Sequence, residues 1–112
     1  METPRAETFR KLLKQSPGNP MILCSLGIEL FKEGRYPEAR EHLARAVENK
    51  PDYSVAYRML GRTHFELREN AEARRVFARG REVAQENGDL QTVREIDVFL
   101  RRLEKREAGE EG

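Results

Sequence analysis

Apolar residues recur along this chain at helical spacing, and the whole pattern then repeats. Leu23, Leu26 and Leu30 fall at i, i+3 and i+7, and Tyr57, Leu60 and His64 do the same after a shift of 34. That spacing puts each trio on one stripe of a helix. Setting 20–51 against 54–85 gives nine identical pairs of 32: Leu26/Leu60, Gly27/Gly61, Phe31/Phe65, Glu38/Glu72, Ala39/Ala73, Arg40/Arg74, Ala44/Ala78, Arg45/Arg79 and Glu48/Glu82. A fixed period of this length marks a solenoid, in which each unit buries its apolar face against its neighbours.

Punctuation between the stripes predicts six helices. Thr3-Pro4 can open one, with Ala6, Phe9, Leu12 and Leu13 as its apolar stripe. The same shift sets Phe9 with Leu43 and Phe77, and Pro17 with Pro51, so 1–18 reads as half a repeat that covers the first full one. Asn19 is the expected cap of a helix from Pro20 to about 33, and Gly34 its stop. Tyr36 precedes Pro37 and is biased away from α, which starts the next helix at about Pro37 and runs it to Glu48. Pro51-Asp52 breaks the chain before helices at about 54–68 and 71–86, the latter capped by Asn70. Gly88-Asp89 then opens a last helix over about 89–106, with Val93, Ile96, Leu100 and Leu103 as its stripe. From 104 on, EKREAGEEG is expected to fray.

Small residues sit inside these helices at matching places: Gly27, Ala39 and Ala46, then Gly61, Ala73 and Gly80. Glycine costs a helix about 1 kcal/mol relative to alanine, and close approach of another helix is the usual compensation. The order of types is therefore Leu23, Leu26-Gly27, Leu30, Ala39, Leu43, Ala46, Pro51, and again Tyr57, Leu60-Gly61, His64, Ala73, Phe77, Gly80. This order resembles the tetratricopeptide repeat. The resemblance implies an all-α fold, a right-handed α-solenoid of antiparallel helix hairpins. Its expected parts are a half-repeat helix at 1–18, repeats at 19–52 and 53–87, a capping helix at 88–106 and a disordered tail at 107–112. In the last helix Arg94-Glu95 replaces Leu-Gly, as suits a terminal helix with a polar outer face.

By the same resemblance, the first helices of the hairpins line a concave groove that binds a partner. Beyond its core stripe the first of them carries Met21, Cys24, Ile28 and Phe31, and the next carries Val55, Arg58, Arg62 and Phe65 with Met59 adjacent. Ile96 and Phe99 hold the corresponding positions of the last helix. Such a surface suits a helical or extended peptide, and Arg58 and Arg62, one turn apart, could grip a partner's carboxylate. The opposing reading packs the same side chains between neighbouring first helices or under the last one. The family's carboxylate clamp, which grips acidic chaperone tails with Lys, Asn, Asn, Lys and Arg, has Cys24, Ile28, Met59, Asp89 and Val93 in those places here. No binding of that kind is expected.

Composition narrows the classes further. The 112 residues make one domain, 37% charged and 38% hydrophobic, with a net charge of +1. That balance argues against a dedicated nucleic-acid surface, although seven Arg against three Glu over 58–81 leave RNA as a minor alternative. A homo-oligomeric scaffold, with a homodimer the simplest case, is the other. Catalysis has no support: Cys24 is the single cysteine, and His42 and His64 are not placed to activate it. No metal or cofactor is expected, since the two His stand 22 apart without a ligand cluster and no phosphate-type Gly-rich loop occurs. Neither a signal peptide nor a membrane span is apparent, which makes a cytoplasmic protein the default expectation.

Overall fold

The computed structural model describes residues 2–109 and contains, among them, six α-helices and no strand. They are α1 (Pro4–Gln15), α2 (Pro20–Lys32), α3 (Tyr36–Asn49), α4 (Ser54–Glu66), α5 (Asn70–Glu86) and α6 (Leu90–Glu107). Each helix packs on the next, and the alternate helices α2, α4 and α6 also touch in sequence. The result is a stack of antiparallel hairpins, an α-solenoid 44 × 34 × 20 Å across.

The internal glycines show what holds each hairpin closed. A Cβ on Gly27 would stand 2.6 Å from Leu43 Cγ, and one on Gly61 would stand 2.4 Å from the ring of Phe77. The two pairs share one spacing in sequence and occupy the same place in the two repeats. The bulky residue of the second helix thus sits directly on the backbone of the first, and only glycine leaves room for it. Gly80 of α5 plays the same part against both α4 and α6: a Cβ there would stand 2.6 Å from Tyr57 Cβ and 3.2 Å from Ile96. Leu23, Leu26, Leu30, Leu43, Phe77, Ile96 and Leu103 are fully buried along this axis.

Loops are tied by side chains that recur in the successive repeats. Asn49 Nδ2 donates to Gly18 O at 2.9 Å, and Asn87 Nδ2 donates to Asp52 O at 2.7 Å. Gly34 and Arg68, one period apart, both take positive φ where the hairpin turns, at 76° and 59°. The turn is retained in the second repeat although the glycine is not. Thr3, Asn19 and Asp89 cap their helices through their side chains, as their positions suggested.

Four local expectations change. Asn70 does not cap α5 but is its first residue; Glu69 is the N-cap, and Asn70 Oδ1 accepts from Arg106 Nη1 at 3.2 Å instead. Tyr36 is helical despite preceding Pro37: it is the first residue of α3, and its ring packs edge-on against Phe31 at 5.2 Å. Leu12 leaves the α1 stripe and is 41% exposed, since the α1 backbone packs along α2 alone and meets α3 through the Arg10–Glu38 pair. The α6 helix runs through Glu107, and residues 110–112 of the expected tail lie outside the described part of the chain.

An ionic cluster fastens α1 to the turn between α2 and α3. Arg10 pairs with Glu2 at 2.7 Å and Glu38 at 3.0 Å, while Arg35 pairs with Glu2 at 2.9 Å and Glu38 at 2.5 Å. Both carboxyls are held below their ordinary value of 4.5, Glu2 chiefly by the hydrogen bond from Arg10 and Glu38 by that from Arg35. A carboxylate whose pKa is depressed by folding stabilises the fold fully above its unfolded value and loses that contribution as pH falls through the folded one. Amide protection factors should therefore fall in α1 before the other helices when the pH is lowered from 5 toward about 3. A uniform loss of protection over all six helices would contradict this role.

Candidate protein-interaction site

The face shared by α2, α4 and α6 is organised by phenylalanines that recur once per repeat: Phe31, Phe65 and Phe99. Arginines fill the spaces between their rings. The Arg62 guanidinium lies 5.0 Å from the Phe31 ring and 4.9 Å from that of Phe99, and Arg102 lies 5.1 and 5.0 Å from Phe65 and Phe99. Arg106 closes the series at 3.6 Å from Phe65 and donates to the Phe65 carbonyl at 2.8 Å. Stacking on a ring face both orients a guanidinium and offsets part of its desolvation. The face is thus an alternation of aromatic and cationic groups.

Between α4 and α6 this face opens into a hollow of about 250 Å³ lined by Arg58, Arg62, Glu95, Val98 and Phe99. Burial, followed by the like charge of Arg58, pulls the Arg62 guanidinium below its ordinary range. Glu95 Oε2 stands 3.0 Å from Arg58 Nε, an ion pair whose angle falls outside hydrogen-bonding geometry. The Nε groups of Arg58 and Arg62 are shut off from solvent and have no hydrogen-bond partner among the described residues. Buried donors left unmade in this way are rare in folded proteins.

The nine residues singled out from the sequence divide between this surface and the core. Met21 is 63% exposed at the outer end of α2. Ile28, Phe31 and Val55 are half-buried against the core, with Phe31 reaching Arg62; Arg58 and Arg62 line the hollow itself. Cys24, Met59 and Phe65 are buried, so they shape the site from beneath and offer no open surface. Burial pushes the Cys24 thiol up, and Tyr53 beside it is pushed up to about 12, also by burial first. A protonated, enclosed thiol is a poor nucleophile. Glu95, Val98 and Arg102 went unrecognised in the sequence. Glu95 and Val98 stand one period beyond Gly61 and His64, which are unlike types, so only the Phe65/Phe99 match could have led to them.

A larger hollow of about 620 Å³ lies on the opposite side, between α3 and α5, over Leu60 and His64. Of its lining side chains, Arg40 and His64 both reach Glu69, at 2.6 and 2.8 Å, and Arg75 pairs with Glu72. Size favours this hollow, but the one between α4 and α6 lies on the face where arginines stack between the recurring phenylalanines and Val98 is exposed. Among the described residues no cluster of His, Cys, Asp or Glu could hold a metal, and no helix is long and apolar enough to cross a membrane.

Six helices in hairpins, with glycines seating the second helix on the first, define an interaction-type helical repeat. A tetratricopeptide repeat family profile matches residues 30–95, and the chain belongs to that family. It is 33% identical over 99 residues to a TPR repeat-containing protein of Pseudomonas aeruginosa, covering 88% of this chain and 94% of that one. The solution structure of a protein from Bordetella parapertussis, 34% identical, superposes with a TM-score of 0.82 over 98% of this chain and 95% of its own. The TPR2B domain of yeast Sti1, solved as a complex with an Hsp70 peptide, superposes with a TM-score of 0.86 at 21% identity, over 90% and 81%. A co-chaperone of Aspergillus fumigatus is 24% identical over 105 residues, and the chain spans 31% of its length. Tetratricopeptide repeats are interaction modules, generally without catalysis.

Proposed function

We propose that this protein is a non-catalytic adaptor that binds a helical or extended peptide of another protein on the α2/α4/α6 face. The observation that carries the reading is the hollow between α4 and α6, where Arg58 pairs with Glu95 and Arg62 is held between the Phe31 and Phe99 rings beside exposed Val98. A helix-stack surface already ordered by stacking has little conformational entropy to lose on binding.

Chaperone tails of the clamp type are not its partners. Of the five positions involved, Cys24, Met59 and Val93 are buried, and Asp89 is committed to capping α6. Asp89 takes the Thr92 N–H at 3.2 Å and the Ser54 hydroxyl at 2.7 Å, contacts that hold its carboxyl below the ordinary range. A fixed negative charge there repels an acidic tail.

Capture from an extract of the source cells tests the adaptor reading. Wild type and Phe31→Glu, both shown to be helical by circular dichroism, should differ by loss of one specific protein. Met59→Glu would be a poor probe, because a carboxylate at that buried position would unfold the chain. A captured protein retained by Phe31→Glu and lost with Val47→Glu, on the opposite hollow, would move the site to the α3/α5 side. A dimer that Phe31→Glu splits would assign the face to self-association.

A further inference from the structure

We infer that the open face of α1 is a contact for the α1 of a second copy of this chain, the two helices lying antiparallel about a two-fold axis. The repeat itself shows what this face lacks. Shifted by one period, Arg5, Phe9 and Leu12 stand where α3 has Ala39, Leu43 and Ala46 and where α5 has Ala73, Phe77 and Gly80. All six counterparts are buried, because α3 and α5 are each packed between two helices. The α1 backbone packs along α2 alone. Phe9 is therefore only half-buried, Leu12 is 41% exposed and the Arg5 side chain 72% exposed. Beside them Pro4, Arg5, Thr8 and Phe9 line an open hollow of about 320 Å³.

The residue types say which helix this face takes. In α3 and α5 small residues flank the bulky one, so the hairpin partner comes close enough for Leu43 and Phe77 to seat on its glycine. Arg5 and Leu12 are too large for that approach. A helix with large side chains of its own, at the ordinary interaxial distance of about 8–10 Å, fits instead. An antiparallel α1 is such a helix, and its register is self-complementary. With Phe9 level with Leu12 of the second copy, Leu12 is level with that copy's Phe9, and Thr8 with its Leu13. Arg5 then lies by Ser16 at the end of the facing helix, where the dipole favours a cation. Lys11 comes level with Arg10 of the second copy, whose charge Glu2 and Glu38 already offset. The two Arg5 residues stand about 16 Å apart along the axis at 1.5 Å per residue, twice the screening length of about 8 Å at physiological salt. A parallel pairing would set Arg5 on Arg5, so the antiparallel one is preferred.

None of the residues that line the hollow between α4 and α6 lies on α1, so this inference stands apart from the adaptor reading, and the dimer would carry that hollow twice. A contact between two helices of 12 residues is smaller than the roughly 1,200–2,000 Å² of a stable interface, which makes the association weak, with Kd on the order of 100 µM. Sedimentation equilibrium from about 10 µM to about 1 mM should show a monomer passing to a dimer. Leu12→Glu, shown to be helical by circular dichroism, should raise Kd about tenfold or more by bringing a carboxylate against Phe9 of the second copy. Thr8→Arg takes its place if Leu12→Glu loses helix. Leu90→Glu, an exposed position on α6, should leave Kd unchanged. A nitroxide on a Ser16→Cys chain, mixed with ¹⁵N-labelled wild type, reads the register; the enclosed Cys24 does not take the label. Amides of the wild-type chain should broaden most at Arg5 to Glu7. A chain still monomeric at the highest concentration, a dimer that Leu12→Glu leaves intact, or broadening strongest at the end of α1 would overturn the inference.

Discussion

Phe77→Ala should destabilise the protein by about 3–5 kcal/mol, the range for emptying a fully buried aromatic site. Phe77 is completely enclosed; its ring seats on the Gly61 backbone and stacks with Phe99 at 5.8 Å. One side chain therefore closes the α4/α5 hairpin and docks α6 to it. Native proteins of this size have only about 5–15 kcal/mol in hand. Urea denaturation followed by circular dichroism should show the midpoint collapsing with the variant barely folded at room temperature. A loss below about 1 kcal/mol would mean that the ring does not hold α6 in place.

Gly61→Ala should also destabilise, by about 1–3 kcal/mol, although alanine is the better helix former by about 1 kcal/mol. The new methyl would stand 2.4 Å from both Phe77 Cδ1 and Cε1, and a stacked, buried ring cannot swing away as a flexible chain end could. Overpacking wins because the helix gain is fixed while the clash forces α4 and α5 apart. Phe77→Leu, itself destabilising, should make the added methyl much less costly, so the double mutant should be more stable than the two single effects predict. Additive effects in that cycle would show that the two positions do not touch.

The fold was legible because solenoid stability is local. Leu26-Gly27 and Leu60-Gly61, each answered by the bulky residue of the following helix, Leu43 and Phe77, are one packing solution written twice, and each copy needs only its neighbour. Boundaries were less legible where a backbone demand could be met without the usual residue. Arg68 takes positive φ without being glycine, and α5 begins without a side-chain cap. The site was legible in part. Periodicity placed Ile28, Phe31, Arg58, Arg62 and Phe65 on first helices, but it could not tell which point across and which down. That depends on how far α6 leans onto α4, and there Glu95 and Val98 share no residue type with their counterparts. Cys24 and Met59 lie on the same helices as the site residues yet are buried, because the stack continues beneath them.

On the adaptor reading, the α2/α4/α6 face receives a peptide of another protein. A photo-crosslinking residue in place of Val98, which is exposed at the mouth of the hollow, tests it most directly, with a second at Glu48 beside the α3/α5 hollow for comparison. Irradiation in source-cell extract, followed by mass spectrometry of the adducts, should join position 98 to one segment of one other protein, and Phe31→Glu should abolish that adduct. Crosslinks from position 98 only to a second copy of this chain, or a specific partner joined only at position 48, would contradict the account.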